Sequence, residues 1–380
     1  MTTRHVGTAI VGAGAMGSAA AYHLARRGEP FVLLDQYPPG HDRGSSHGPA
    51  RIIRHSYADP ADARLMLDAF RAWRVLEADV GRPLYARTGG VSICPRPADY
   101  AARVAASLDA IGVVHRRMTG ERLNRAIPVF AVADDSDVVF EPDAGLIAAE
   151  VALASFVDFA REAGGAGSEI RPSTPVRRVD LEAARPTLVL DDEVLVVDRL
   201  IVAAGPWTAR LLPTLAVPLR PTRQEVFYLR PTDPDRFAIG RFPAFIFMGS
   251  EPGDAYYGMP AALARGVKVA RHGGPDADPD APRPPIGPAS HHRAIRDFLA
   301  ATVPDLAEAP VDRTETCFYT MTVDDRFRVG PMPGRPEVVV ASPCSGHGFK
   351  FACLVGRVLA DLATDGETPI AIDRWRIGQG

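Results

Sequence analysis

Val11-Gly12-Ala13-Gly14-Ala15-Met16-Gly17 is the stretch on which the fold turns. Ahead of it, Thr8-Ala9-Ile10-Val11 reads as a buried parallel strand. Behind it, Ser18 to Arg27 reads as a helix that Gly28 closes as a left-handed C-cap. A second apolar run, Phe31-Val32-Leu33-Leu34, ends in Asp35. Each glycine has its own mechanical reason. Gly12 permits the tight turn out of the strand, Gly14 leaves room for a pyrophosphate against the backbone, and Gly17 lets the helix pack on the strands. The helix N-terminus then offers unpaired N–H groups and the positive end of its dipole to phosphate. Asp35 falls about 20 residues on, where an acid can hydrogen-bond a ribose hydroxyl. Strand, glycines, helix, strand and acid in this order point to an ADP-containing dinucleotide. The motif alone leaves FAD and NAD both open.

The bulk of the chain narrows the class. A length of 380 residues exceeds what one core usually holds and predicts two domains. Hydrophobic residues at 46% and charged residues at 23% are those of a soluble globular protein. A net charge of −3 gives no electrostatic reason to expect nucleic acid or anionic lipid as partner. No apolar run is long enough to span a membrane. The N-terminus, with Arg4 before an apolar stretch and Ala19-Ala20-Ala21, imitates a signal peptide, but glycines at dinucleotide-turn spacing interrupt the stretch. Cys94, Cys317, Cys344 and Cys353 form no CxxC pair and no disulfide framework, which points to a reducing compartment and so to the cytoplasm. Of 43 lysines and arginines, only Lys268 and Lys350 are lysine. An ammonium is a compact charge that loses its proton when buried, so the two are not interchangeable. Either those positions need lysine, or it was kept there by chance on the surface; composition does not choose.

Further along, Gly44 to Tyr57 sets small residues before Arg51 and Arg54, an anion-binding or merely solvated loop. Asp59-Pro60 caps a helix with Met66, Ala69, Trp73, Leu76 and Val80 on one face, and Gly81 stops it. Residues 83–94 read as short strands, and Tyr100 to Ile111 as a helix that ends at Gly112. Phe140 to Gly145 reads as a turn, and Ala148 to Ala163 as an apolar helix. Strand patterns recur at Val176–Val179, Thr187–Leu190, Val194–Val197 and Leu200–Val202, the last entering Ala203-Ala204-Gly205-Pro206-Trp207. That glycine turn is a second backbone approach to the cofactor or a plain strand-to-helix turn. Residues 222–230 and 255–271 alternate as strands, and Gly273 to Pro288 reads as a surface loop. His291-His292 opens a helix; neighbours on a helix share no face, so they read as solvated. No HExxH or Cys/His cluster is present, so no metal site is expected. Ser345-Gly346-His347-Gly348 feeds a last helix, a second helix N-terminus open to an anion.

Three separated motifs carry a resemblance over nearly the whole chain: Gly44 to Tyr57 with its Arg-Ile-Ile-Arg-His core, Cys317-Phe318-Tyr319-Thr320, and Ser345 to Phe351. On these the sequence resembles the monomeric sarcosine oxidase and N-methyltryptophan oxidase family of FAD-dependent amine oxidases. The resemblance implies FAD joined through its 8α-methyl to Cys317. It implies cofactor contacts from Gly12, Gly14, Met16, Gly17, Asp35, Ser45, His47, Arg51, Val176, Cys317, Gly346, His347, Gly348 and Lys350. Arg54 and Lys350 would clamp a substrate carboxylate; Tyr257, His272 and Ile246 would line the substrate side. Arg51 would lie near the flavin ring beside Lys268, and Lys268 would activate oxygen, since a cation stabilises charge developing on O₂. The reaction implied is oxidation of a secondary amino acid, N-methyl or cyclic, to an imine with release of H₂O₂, by a monomer.

The expected fold is an α/β, two-domain flavoprotein. A discontinuous Rossmann-like FAD domain takes 1–85, 147–218 and 317–380; a mixed-sheet substrate domain takes 86–146 and 219–316. Other readings are an FAD-dependent dehydrogenase with another electron acceptor, an NAD-dependent dehydrogenase, and a nucleotide-binding protein with no turnover. Three departures from the family pattern bear on substrate: Pro60 after the arginine loop, the Phe245-Ile246-Phe247-Met248 wall with an extra residue before Tyr256, and Cys344 ahead of the Ser-Gly-His-Gly turn.

Overall fold

The first strand is longer than its apolar residues, running Thr2–Val11. Its first half alternates exposed and half-buried side chains, and pairing with Glu193–Val202 keeps it extended. A computed structural model describes residues 2–251, 253–261, 263, 266–282, 290–342 and 345–378. Around this strand lies a parallel sheet in the order Glu169–Arg171, Val32–Leu34, Thr2–Val11, Glu193–Val202, Arg335–Ser342. The two runs read as separate strands at 194–197 and 200–202 are one strand. Polar Asp198 and Arg199 break the apolar pattern, but the backbone continues because the strand's halves have different neighbours. Thr187–Val189 pairs with the first half and Arg335–Ser342 with the second. The strand expected at Val176–Val179 forms at Arg178–Asp180.

The helix after the glycine turn spans Ala15–Arg27 and ends at Gly28 with φ 72°. Its run of Ala19, Ala20 and Ala21 is fully buried beneath Ala149–Ala163 and Ala352–Thr364. Small side chains bring those helices close: a Cβ on Gly356 would come within 2.5 Å of Ala19. The helix Pro60–Val80 is capped as its sequence predicts, with Asp59 accepting from the Ala61 N–H and Gly81 in the left-handed region at φ 62°. Trp73, buried in this helix, donates its indole N–H to the Lys350 carbonyl at 2.7 Å.

A second sheet runs Val311–Met321, Arg220–Leu229, Val267–Arg271, Ala255–Met259, Ala244–Met248, Gly90–Cys94, Asp137–Glu141, Arg116–Thr119. One face packs on the helix Ser290–Thr302 through Phe227, Val267, Val269, Phe298 and Leu299. The other face roofs a cavity. A three-stranded sheet of Ala50–Ile53, Gly145–Ala148 and Tyr85–Arg87 closes one side. The boundary expected between 316 and 317 falls inside the continuous strand Val311–Met321, which belongs with the second sheet.

Two local readings change. The Phe140–Gly145 turn shrinks to residues 142–144, because Phe140 and Glu141 finish a strand and Gly145 begins another. The loop from Gly273 lies at the surface as expected, tied down over its described part where Trp207 donates to Asp280 at 2.7 Å and Arg210 to Asp278 at 3.0 Å. His292 is half-buried on the Phe227 ring rather than solvated, since its strand neighbour offers an aromatic face. The side chain of His291, and Cys344, lie outside the described residues.

Candidate active site

The cavity is about 1650 Å³ and runs from the Gly12–Met16 turn to Lys350 beneath the second sheet. Clefts that hold a drug-sized molecule are roughly 300–1,000 Å³, so this one has room for an elongated cofactor and a small substrate together.

At the nucleotide end the turn is built as the sequence demands. Gly12 has φ 103°, and a Cβ there would meet the Ala203 carbonyl at 2.5 Å. A Cβ on Gly17 would overlap the Gly12 carbonyl, so Gly17 serves packing and does not line the cavity. Around Gly14 only the Ser46 hydroxyl approaches, at 3.2 Å from the Cβ position. Asp35 accepts from the Ala13 N–H at 2.7 Å and the Tyr37 N–H at 2.8 Å, so it also braces the turn. Met16 and Val176 line the same end. Of the two serines in the 44–48 loop, Ser46 holds the turn, accepting from the Ala15 N–H at 3.0 Å. The Ser45 hydroxyl is buried with no partner among the described residues and borders the cavity.

In the middle lie Arg51, Lys268 and Cys317. The Arg51 guanidinium donates to the carbonyls of Ser45 and Ala50 at 3.0 Å and of His47 at 2.6 Å. It therefore shapes the loop that carries His47 while its remaining surface faces the cavity and the Phe349 ring at 5.5 Å. Lys268 sits opposite Met259 and Tyr228 in the sheet register, which aims it into the cavity. Its ammonium donates to the Ala50 carbonyl at 3.2 Å. Burial, then the charge of Arg51, push Lys268 down to about 7. Cys317 is buried on the cavity wall, in register with Gln224.

The far end holds Arg54, Tyr57, Tyr257, His272, Tyr319, Gly346, His347, Gly348 and Lys350. The strand Ala244–Met248 sends alternate residues to opposite faces. Ile246 and Met248 therefore border the cavity, while Phe245 and Phe247 pack on Phe298. Only half of the expected four-residue wall can touch a ligand. The Nε and Nη1 of Arg54 are buried without a partner among the described residues. Lys350 donates to the Tyr57 hydroxyl at 3.0 Å and the His347 carbonyl at 2.8 Å. Burial and then Arg54 hold Lys350 well below the ordinary lysine value. Burial, then Lys350 and Arg54, hold His272 down to about 4, so its imidazole is neutral at pH 7. Burial pushes the Tyr257 phenol up to about 12 and raises that of Tyr319 well above its usual range. Gly346 has φ 79°, and a Cβ there would strike the Tyr319 and His272 rings. The end thus carries two cations, Arg54 and a Lys350 ammonium whose hold on its proton burial weakens, among phenols and imidazoles that are uncharged.

Four contributors carry no signal in the sequence beyond their neighbours. Tyr57 and Tyr319 lie inside motifs already quoted, Tyr319 on the same strand face as Cys317 by the period of two. Ser46 is one residue from the serine expected. Glu141 is fully buried and accepts from the backbone N–H groups of His55 and Ser56, from the Ser56 hydroxyl, and from His55 Nδ1 at 2.7 Å. It thereby pins the residues between Arg54 and Tyr57. Burial alone would raise its carboxyl, but the hydrogen bonds from His55 and Ser56 outweigh this and hold it below its ordinary value of 4.5. A carboxyl depressed on folding adds stability above its unfolded value, and that stability is lost as pH falls through the folded one. Glu141→Ala is expected to lower unfolding free energy by about 3 kcal/mol or more at pH 7, as for a buried pair losing one partner. The difference should shrink as the pH drops below about 4. Urea unfolding at several pH values checks it.

Comparison with known proteins shows the family and the fold. Residues 8–362 match the family model described as FAD dependent oxidoreductase. Monomeric sarcosine oxidase of Bacillus sp. (strain B-0618) is 32% identical over 384 residues, spanning 99% of this chain and 96% of its own. N-methyl-L-tryptophan oxidase of Yersinia pestis (strain Pestoides F) is 32% identical over 375 residues, spanning 97% and 98%. Among solved structures, NikD, an amino acid oxidase of nikkomycin biosynthesis, superposes with a TM-score of 0.84 at 22% identity, covering 98% of each chain. L-proline dehydrogenase from P. horikoshii gives 0.84 at 19%, covering 98% of this chain and 97% of that one.

The cavity fits FAD. It offers an open glycine turn for a pyrophosphate, Asp35 at the second strand, and an unpartnered Ser45 hydroxyl between that turn and Arg51. Among the described residues, no group of three His, Cys, Asp or Glu could hold a metal, and no helix is long and apolar enough to cross a membrane.

Proposed function

The chain belongs to the monomeric sarcosine oxidase and N-methyltryptophan oxidase family of FAD-dependent oxidoreductases, and from that premise we propose that it oxidises secondary amino acids, N-methylated or cyclic. The products are an imine and H₂O₂. One observation carries the substrate class: the Arg54 guanidinium stands in the cavity with two buried nitrogens unpartnered, and Lys350 beside it bonds to neutral oxygens. Two cations so placed await an external carboxylate.

FAD, when bound, would supply the two-electron redox chemistry: it would accept a hydride equivalent from the carbon next to the amine nitrogen and pass both electrons on to O₂, which with two protons gives H₂O₂. The protein's part is positioning and charge. Arg54 and Lys350 fix the carboxylate. His272, neutral at pH 7, accepts a hydrogen bond from the amine and favours its uncharged form, whose lone pair oxidation requires. Tyr257, Ile246 and Met248 bound the space for the N-alkyl group or ring. Lys268, which shares the Ala50 carbonyl with Arg51, supplies the cation for oxygen reduction. Gly12, Gly14, Met16, Asp35, Ser45, His47 and Val176 hold the cofactor's length, and Gly346 to Gly348 bring backbone close to it. Cys317 is the attachment point. We place the enzyme in the cytoplasm as a monomer; among the described residues Cys94, Cys317 and Cys353 form no disulfide.

Two experiments test this reading. An anaerobic panel of N-methyl and cyclic amino acids should bleach the flavin with at least one class, and admission of air should return the colour with H₂O₂ in equal amount. A panel that bleaches nothing overturns the substrate class; bleaching without H₂O₂ makes the enzyme a dehydrogenase. Separately, denatured wild-type protein should retain the flavin mass on the Cys317 peptide, and Cys317→Ser should release it completely. Flavin lost from denatured wild type ends the covalent assignment.

A further inference from the structure

One aromatic residue touches every part of the carboxylate clamp. The Tyr57 ring has the Arg54 guanidinium 4.7 Å from its centroid and the Lys350 ammonium 5.3 Å away. Its hydroxyl meets Lys350 Nζ at 3.0 Å and His347 Nδ1 at 3.0 Å, while His347 Nε2 meets the Asp325 carbonyl at 3.1 Å. These contacts admit one direction. An ammonium only donates and a carbonyl only accepts. Lys350 therefore donates to Tyr57, Tyr57 donates to Nδ1, and the imidazole proton resides on Nε2 toward Asp325. Burial and then Lys350 hold His347 down to about 3, consistent with a neutral ring of this single tautomer. With a second N–H on the His347 carbonyl, Lys350 keeps one for a ligand.

We propose that Tyr57 is a positioning residue of the substrate clamp: its hydroxyl relays a one-way hydrogen-bond chain from Asp325 through His347 that aims the free N–H of Lys350 at the carboxylate held by Arg54. The inference rests on the amino-acid reading above. Tyr57 acts through Lys350 and His347, and Glu141 fixes it in turn by pinning residues 55 and 56.

The test is acetate, a carboxylate with no amine to oxidise, titrated into FAD-loaded enzyme and followed by flavin absorbance. Tyr57→Phe keeps the ring under both cations and removes the hydroxyl. Its acetate Kd should rise about tenfold, the scale of one hydrogen bond to a charged group. The rate of reoxidation by O₂ after dithionite reduction should stay as in wild type. An acetate Kd within twofold of wild type, or a parallel fall in reoxidation, overturns the proposal. Wild type that fails to bind acetate overturns the amino-acid reading itself, so the two failures are distinct. A second measurement needs no variant at this position. Histidine nitrogen-15 spectra of the wild-type holoenzyme, with His347 assigned from the signal missing in His347→Gln, should show Nδ1 bare and Nε2 protonated. The opposite tautomer overturns the direction of the chain.

Discussion

Lys268→Met should leave reduction of the flavin by substrate within several-fold of wild type and slow its reoxidation by O₂ about 10²–10³-fold. That is the scale of removing one preorganised electrostatic group from a water-poor site. Lys268 is 5% exposed, aimed into the cavity by strand register, and hydrogen-bonded to the neutral carbonyl of Ala50. Among the described residues its charge is therefore offset by no carboxylate in direct contact, and it is available to stabilise negative charge developing on oxygen. The pH dependence follows with a definite sign. Burial and Arg51 bring the ammonium down to about 7, and the effective species is the charged one. Reoxidation should be flat at low pH and fall as pH rises past a midpoint. Negative charge brought into the cavity can only move that midpoint upward from 7. Stopped-flow reoxidation across pH checks both statements, and a rate equal to wild type in Lys268→Met would remove the role.

Arg54→Ala should reduce kcat/KM for the amino-acid substrate about 10²–10³-fold, or roughly 3–4 kcal/mol, with most of the loss in KM. Two nitrogens of this guanidinium, on its two opposite edges, find no partner among the described residues, so a carboxylate reaching either edge gains charge-assisted hydrogen bonds that no protein group takes up. Their loss also leaves the carboxylate facing Lys350 alone, whose own charge is weakened by burial. The same variant should bind FAD and react with O₂ as wild type does, because Arg51 and Lys268 lie apart from the clamp. It should also lose discrimination between an N-methyl amino acid and the matching amine without a carboxylate. Steady-state kinetics with the pair of substrates gives the answer; a change confined to kcat would place Arg54 outside the clamp.

Much of the frame is written locally. The glycine turn, the Asp59-Pro60 cap, and the stops at Gly28, Gly81 and Gly112 rest on steric and hydrogen-bond rules acting within a few residues. The three stops all adopt the left-handed conformation, at φ 72°, 62° and 69°. Strand limits were less legible. Asp198 and Arg199 interrupt a strand only on paper, because partners on both sides hold its backbone extended. The second sheet's strands at Arg116–Thr119 and Asp137–Glu141 carry too few alternating residues to announce themselves. Glu141 showed nothing of its role, since His55 and Ser56 lie more than 80 residues away in sequence.

The sequence by itself determined a dinucleotide turn, the capped helices around it, the family, and the two lone lysines as places of interest. Tertiary structure alone decided where those lysines sit. Strand pairing turns Lys268 inward, a helix-borne tryptophan and a distant tyrosine fix Lys350, and burial lowers the proton affinity of both. Caps and turns obey forces that end within a turn of helix, so residue order reveals them. Register and burial depend on which distant segments meet, and no local pattern records that.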